Sequence, residues 1–315
     1  MGKTAFLFSG QGSQYEGMGK NLVKYEKGRE TFQEAGNILD IDITHLCCNG
    51  SGNQLADTKI TQPAVLTCSI AAYRILSEEI DCPVCSLIPS ATAGLSVGEY
   101  SALIASGVLD FKEALEIVKE RGRLMAKAAS EKAGFMVAIL GIKDNSIIES
   151  ICKKAEKFGI VGPANYNCPG QVVISGDQVG IQKAVDLARE AGARRCQPLS
   201  VHGAFHSPLM HSAEIGLRKV LNKACFARPE IPFVANVTGD YIDDPDKIRE
   251  ILALQMSSPI QWETSISRMI DEGIESFMEF GPGKVLSGLI HRIDKNVQTY
   301  NSDSLLDNTN PLSVL

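Results

Sequence analysis

The chain has 315 residues, of which 44% are hydrophobic and 22% charged, and a formal net charge of −6. A chain this long buries enough surface to hold a core without disulfide or metal, and an acidic balance with no run of Lys or Arg excludes a general nucleic-acid binder. The first apolar run, Ala5 to Phe8, is too short for a signal peptide, and nothing later approaches the ~20 apolar residues of a membrane span, so a cytoplasmic protein without a membrane partner is expected.

Thr4 to Phe8 reads as a buried strand running into a Ser9-Gly10 loop. Helical patterns follow to about residue 80, with Gln62-Pro63 starting a long apolar stretch from Ala64 to Ile75. A proline-punctuated segment, Cys82 to Pro89, leads to a short strand that ends in Gly94-Leu95-Ser96-Val97-Gly98. Asp110 and Glu113 form a D-x-x-E capping box opening a helix to about Ala129. From about 133 to 200 the rhythm changes. A strand (Phe135 to Ile142), a helix (Asn145 to Phe158), two strands (Gly159 to Tyr166 and Gln171 to Ser175), a helix (Val179 to Ala191) and a strand (Arg194 to Leu199) give the ferredoxin-like order βαββαβ.

The α/β pattern then resumes with a strand from Ile231 to Val237 and helices from Pro245 to Gln255 and Thr264 to Glu272. A strand from Ser276 to Glu279 follows, and Gly281-Pro282-Gly283 opens a last helix. The polar tail beyond about 300 is expected to be loosely held. The fold class is therefore α/β: a hydrolase-like parallel-sheet domain (1–132 and 201–315) with an inserted ferredoxin-like α+β subdomain (133–200). Nine cysteines at irregular spacing read as reduced thiols. The single C-x-x-C, Cys82 to Cys85, lacks a second ligand pair for zinc, so no metal is expected.

Gly94-Leu95-Ser96-Val97-Gly98 is a G-x-S-x-G pentapeptide, the pattern of a nucleophile on a tight strand-to-helix turn. Such a turn lifts the serine Oγ out of the sheet and aims the next backbone N–H, on Val97, at a forming oxyanion. Chance alone supplies roughly 0.2 such pentapeptides in a chain of this length, so a structural glycine turn is a real alternative and a base is needed to support the chemistry. Of five histidines, His202 and His206 stand together on the loop after the insert and are not separable by position. His211 falls on the helix that Pro208 begins. Gly10-x-Gly12 and Gly281-x-Gly283 fail as dinucleotide fingerprints, because Tyr15 and Leu286 occupy the third glycine positions.

Seven motifs in order resemble those of the malonyl-CoA:acyl carrier protein transacylase family, from Phe6 to about Arg292. They are Gly10-Gln11-Gly12-Ser13-Gln14, Gly94 to Glu99, Arg121-Gly122-Arg123-Leu124-Met125, Asn165 to Gln171, Gly203-Ala204-Phe205-His206-Ser207, Pro259-Ile260-Gln261-Trp262 and Gly281-Pro282-Gly283-Lys284. The resemblance implies Ser96 as the acylated nucleophile and His206 as its base. It implies an oxyanion hole from the Gln11 and Val97 amides, and a main-chain carbonyl near Gln261 in place of a triad carboxylate.

Arg121 is implied as the grip on the malonyl carboxylate, to which a guanidinium offers a two-pronged donor that lysine cannot copy. Arg123, two residues on, faces elsewhere on the helix. Phe205 is implied to crowd an α-methyl branch, favouring malonyl over methylmalonyl. Leu95 departs from a frequent family histidine, and His202 stands where a small polar residue is commoner.

The implied reaction is a ping-pong transfer from malonyl-CoA to an acyl carrier protein for fatty acid synthesis, by a monomer without cofactor. Carrier proteins of this kind are acidic, so Arg194, Arg195 and Lys284 are candidates for a local basic patch. The alternatives are a trans-acting polyketide-pathway acyltransferase, a serine thioesterase or esterase, and an inactive carrier-docking relative.

Overall fold

The computed structural model describes residues 2–80, 88–201 and 203–307. Cys82, Cys85, His202 and the tail from 308 lie outside the described residues, and so do the expectations that concern them. Among the described residues, eight strands form two sheets. They are β1 (Lys3–Phe8), β2 (Ala91–Gly94), β3 (Phe135–Leu140), β4 (Val161–Cys168), β5 (Gln171–Gly176), β6 (Arg195–Pro198), β7 (Ile274–Phe280) and β8 (Gln298–Asn301).

The first sheet has the order β2-β1-β7-β8 with every pair parallel. After Lys3, every residue of β1 is buried, the continuous apolar run that a sheet covered on both faces requires. Phe6 and Phe8 meet Phe280 of the neighbouring β7 with ring centroids 5.0 and 5.5 Å apart. The second sheet has the order β4-β5-β3-β6 with every pair antiparallel. Helices Asn145–Ala155 and Gln178–Glu190 complete its βαββαβ unit, whose core is Val137, Ile139, Ile148, Ile151, Val172 and Ile174. The two units are stitched where Tyr166 N–H donates to Ile260 O (2.9 Å) and Ile260 N–H to Ala164 O (2.8 Å).

Helix Phe111–Glu131 buries Phe111, Ala114, Leu115, Ile117, Val118, Arg121, Gly122, Met125 and Ala128, one face at three- and four-residue spacing. Arg121 lies on that face. Asp110 caps this helix by accepting from Glu113 N–H (2.7 Å). The expected reciprocal bond is replaced, since Glu113 accepts from Cys225 N–H (2.7 Å).

Several expectations change. The apolar helix runs Thr58–Arg74 with Pro63 inside it, because Asp57 caps it six residues before the proline. The segment 231–237 is no full strand and meets β2 in one bridge, Thr92 with Phe233. Pro232 there has no N–H to give, and the chain soon turns back to pair Val234 with Tyr241. Beyond residue 300 the chain is docked rather than loose through Asp307: β8 pairs with β7, and Ser302, Leu305 and Leu306 of helix Ser302–Asp307 are buried. No helix among the described residues is long and apolar enough to cross a membrane.

Candidate active site

The carboxyl ends of the adjacent parallel strands β1 and β2 set the site. Beyond β1 the chain enters the Gly10-Gln11-Gly12 loop; beyond β2 it turns through Leu95 and Ser96 into helix Gly98–Ala105. The turn is too tight for side chains at its flanks. A Cβ on Gly94 would lie 2.0 Å from the Gly98 carbonyl carbon, and one on Gly98 would lie 2.2 Å from Phe8 O. Ser96 itself has φ +55°, a left-handed backbone that costs a non-glycine residue about 1–2 kcal/mol. Two side-chain amides hold it there. Asn236 Oδ1 accepts from Ser96 N–H (2.7 Å), and Gln255 Nε2 donates to Ser96 O (3.0 Å).

His206 also has a left-handed backbone, φ +57°, anchored by its N–H to Met256 O (3.1 Å). Its Nδ1 lies 2.7 Å from Gln255 O and its Nε2 lies 3.0 Å from Ser96 Oγ. A carbonyl can only accept, so Nδ1 carries the proton and Nε2 is free to accept from the serine hydroxyl. The orienting carbonyl is thus Gln255, not Gln261. Gln261 O accepts instead from Ser265 N–H and Oγ, both at 2.9 Å, as the opening of helix Trp262–Asp271. The motif Pro259 to Trp262 locates the right stretch of chain, but its carbonyl is consumed by helix geometry. Gln255, just past the end of helix Pro245–Leu254, faces the imidazole.

Arg121 is completely buried. Its Nη1 donates to Gln62 Oε1 (2.7 Å), and its Nη2 donates to Gln255 Oε1 (2.7 Å) and to Ser96 Oγ (3.0 Å). Its Nε has no acceptor among the described residues. A buried guanidinium with an unused donor has capacity for one further acceptor. Arg123, by contrast, pairs with Glu120 at the surface.

Gln11, Phe205, Ser96 and His206 line a cavity of about 180 Å³, together with Asn165 and Asn167 of β4. Val97 follows Ser96 directly and is buried ahead of the helix that Gly98 begins. Phe205 is buried beside the imidazole. Among the described residues no group of three or more His, Cys, Asp or Glu could hold a metal ion.

Residues 5–308 match the acyl transferase domain family. The malonyl CoA-acyl carrier protein transacylase of Bacillus subtilis is 42% identical over 302 residues, covering 95% of this chain and 93% of that protein. An acyl carrier protein S-malonyltransferase structure from Vibrio cholerae superposes with a TM-score of 0.89 at 40% identity, covering 95% and 96% of the two chains. The chain belongs to the malonyl-CoA:acyl carrier protein transacylase family. A malonyl-transacylase solved in complex with its type II PKS acyl-carrier protein has a TM-score of 0.90 at 38% identity, covering 95% of each chain.

For a transacylase the electrostatics are apt. Burial, reinforced by the Arg121 charge and opposed by the Gln255 hydrogen bond, lowers the His206 pKa to about 4. The ring is therefore neutral, and able to take a proton, at any pH well above that value. Four polar residues of the site were not singled out in the sequence: Gln62, Glu99, Asn236 and Gln255, each with 0% exposure. Glu99 sits inside a recognised motif, but Gln62, Asn236 and Gln255 lie in stretches that read only as apolar helix, strand and helix end.

Proposed function

We propose that this chain transfers the malonyl group of malonyl-CoA to the phosphopantetheine thiol of an acyl carrier protein through malonyl-Ser96, supplying fatty acid synthesis. The observation that carries this reading is the Ser96 hydroxyl itself, 3.0 Å from His206 Nε2 and 3.0 Å from Arg121 Nη2. A base and a fixed cation meet at one nucleophile.

In the first half-reaction His206 Nε2 takes the Ser96 proton as Oγ bonds to the thioester carbon. The oxyanion is held by the Gln11 and Val97 amides. The intermediate collapses with cleavage of the carbon–sulfur bond, and the proton on Nε2 passes to the departing coenzyme A thiolate. In the second half-reaction the carrier thiol gives its proton to Nε2, its sulfur attacks the serine ester, and the proton returns to Ser96 Oγ. Arg121 offers the malonyl carboxylate its unused Nε and the Nη2 hydrogen that Ser96 Oγ gives up on attack, so that the acyl carbon stands over Oγ. Phe205 bounds the space around the malonyl α-carbon. A neutral carbonyl, Gln255 O, steadies the transient imidazolium, so no charged third residue is needed.

Residues 1–132 and 201–315 form the catalytic unit in this reading, and 133–200 a lid-side subdomain that supplies Asn165 and Asn167. The chain acts as a cytoplasmic monomer. The test is intact-protein mass spectrometry after mixing with malonyl-CoA. The wild type gains one malonyl group on the peptide containing Ser96, and Ser96→Ala gains none. A malonyl adduct on Ser96→Ala sinks the reading, as does release of free malonate by the wild type in place of transfer to the carrier.

A further inference from the structure

Glu99 is completely buried in the first turn of helix Gly98–Ala105, and the transfer chemistry above makes no use of it. Its Oε1 accepts from Asn236 N–H (2.6 Å), and its Oε2 accepts a short hydrogen bond from Gln255 Nε2. Asn236 and Gln255 are the two residues that clamp the Ser96 backbone from opposite sides, on its N–H and its C=O. Asn236 Nδ2 also donates to Gly94 O (2.7 Å), tying down the last residue of β2. Gln255 further supplies the carbonyl that orients His206 and the Oε1 that holds Arg121. All three working side chains are therefore set by two residues, and both rest on one carboxylate.

We propose that Glu99 is a positioning residue for acyl transfer, fixing Asn236 and Gln255 so that the strained Ser96 turn, His206 and Arg121 keep one geometry. The proposal rests on the function given above for the site as a whole. Both partners of Glu99 are donors, and Gln255 cannot be flipped to present its oxygen, because its Nε2 would then face Arg121 Nη2, donor against donor. The network thus calls for an ionised carboxylate. Burial is the larger influence and raises the Glu99 pKa to about 8, while the two donors and the Arg121 charge act in the opposite direction, toward the ionised form that the hydrogen-bond pattern needs. A buried network of this kind is worth more than its separate bonds, because each member fixes the next.

Glu99→Gln keeps the shape but turns one acceptor into a donor, so one clamp on Ser96 is released. It adds no charge that would compete for Arg121, so the grip on the malonyl carboxylate is not weakened. The expected result is a split: kcat per titratable Ser96 falls about tenfold or more, while the malonyl-CoA KM stays level or falls. General loosening of the fold would raise KM and reduce the number of titratable sites instead. Labelling of Ser96 by a fluorophosphonate, which needs the serine and histidine but no malonyl group, slows in parallel.

An E99Q enzyme that labels at the wild-type rate, or keeps kcat within about twofold, overturns the role of Glu99. A wild type that labels but accepts no malonyl group breaks only the function reading. Where E99Q is not recovered folded, Glu99→Asp retains the charge and withdraws both oxygens by a methylene. It is expected to show the same loss of kcat at unchanged KM, and failure of both variants to fold overturns the proposal.

Discussion

The carboxyl edge of the parallel sheet and the antiparallel sheet of residues 135–198 bury different kinds of side chain. The antiparallel unit is filled with Val137, Ile139, Val172, Ile174 and their helical partners. The edge of β1 and β2 buries Gln62, Glu99, Arg121, His206, Asn236 and Gln255. An apolar core tolerates small adjustments, since dispersion and burial depend weakly on direction. Hydrogen bonds to Ser96 do not, because each works only within a narrow range of distance and angle. The difference separates two tasks: the small unit supplies walls and surface, and the large sheet supplies a fixed geometry for bond-making.

Glycine substitution is the strongest way to break this contrast. Gly98 has Phe8 O where its Cβ would go, at 2.2 Å, whereas a Cβ on Gly162 in β4 would meet nothing within 4 Å. Gly98→Ala must push the elbow away from β1 and carry Ser96 with it. Formation of malonyl-enzyme, followed by mass spectrometry, is expected to slow by about 100-fold or more. Gly162→Ala should stay within about twofold of wild type. Equal effects at the two positions would remove the distinction between a tight elbow and a permissive sheet.

The next test acts on the cation. Arg121→Ala leaves Gln62 Oε1 and Gln255 Oε1 without their buried donor and, on the proposed function, the malonyl carboxylate without its counter-charge. Charge-assisted bonds of about 1.5–3 kcal/mol each put the expected loss in malonyl-CoA acylation near 100-fold or above. Acetyl-CoA carries no carboxylate to pair, so its acylation rate should fall far less and the malonyl preference should collapse. Parallel loss with both donors would mean that Arg121 supports the fold of the site and does not read the substrate.

How much of this arrangement could be read from the chain alone follows from the reach of each signal. The elbow is local: five residues carry its steric demand, and Ser96 stands out by pattern. The βαββαβ unit was legible because its strands and helices alternate with clear periods. Arg121 fell on the apolar stripe of its helix, and its two-residue offset from Arg123 already set them on different faces. The carbonyl on His206 was assigned six residues too late, at Gln261, because main-chain acceptors have no sequence signature. Whether a carbonyl is free depends on where the helix ends and the next one begins. Glu99, Asn236 and Gln255 were invisible as a set for a related reason. They are 137 and 156 residues apart from Glu99, and only the folded sheet brings them together. Strand β8 and helix Ser302–Asp307 were missed because four polar residues, QTYN, show no period, and their pairing with β7 is a tertiary decision.

The smallest expected effect concerns the surface of the antiparallel unit. Arg194 and Arg195 are exposed at the start of β6, the edge strand of its sheet. The chain as a whole carries −6, so an acidic carrier must approach by a local positive region or be repelled. Exposed charges act on encounter more than on the bound complex, and salt screens them. Changing both arginines to Glu is therefore expected to raise the carrier KM by about three- to tenfold at low ionic strength. The difference should shrink toward nothing near 0.5 M salt, where the screening length is only about 4 Å. Acylation by malonyl-CoA should be unaltered, because neither residue lies at the Ser96 cavity. This outcome would give the small unit a role in partner capture with no share in the chemistry. An unchanged carrier KM would move the docking surface to the Lys284 side of the cleft, while a fall in the acylation rate itself would show that the two units cannot be separated by task.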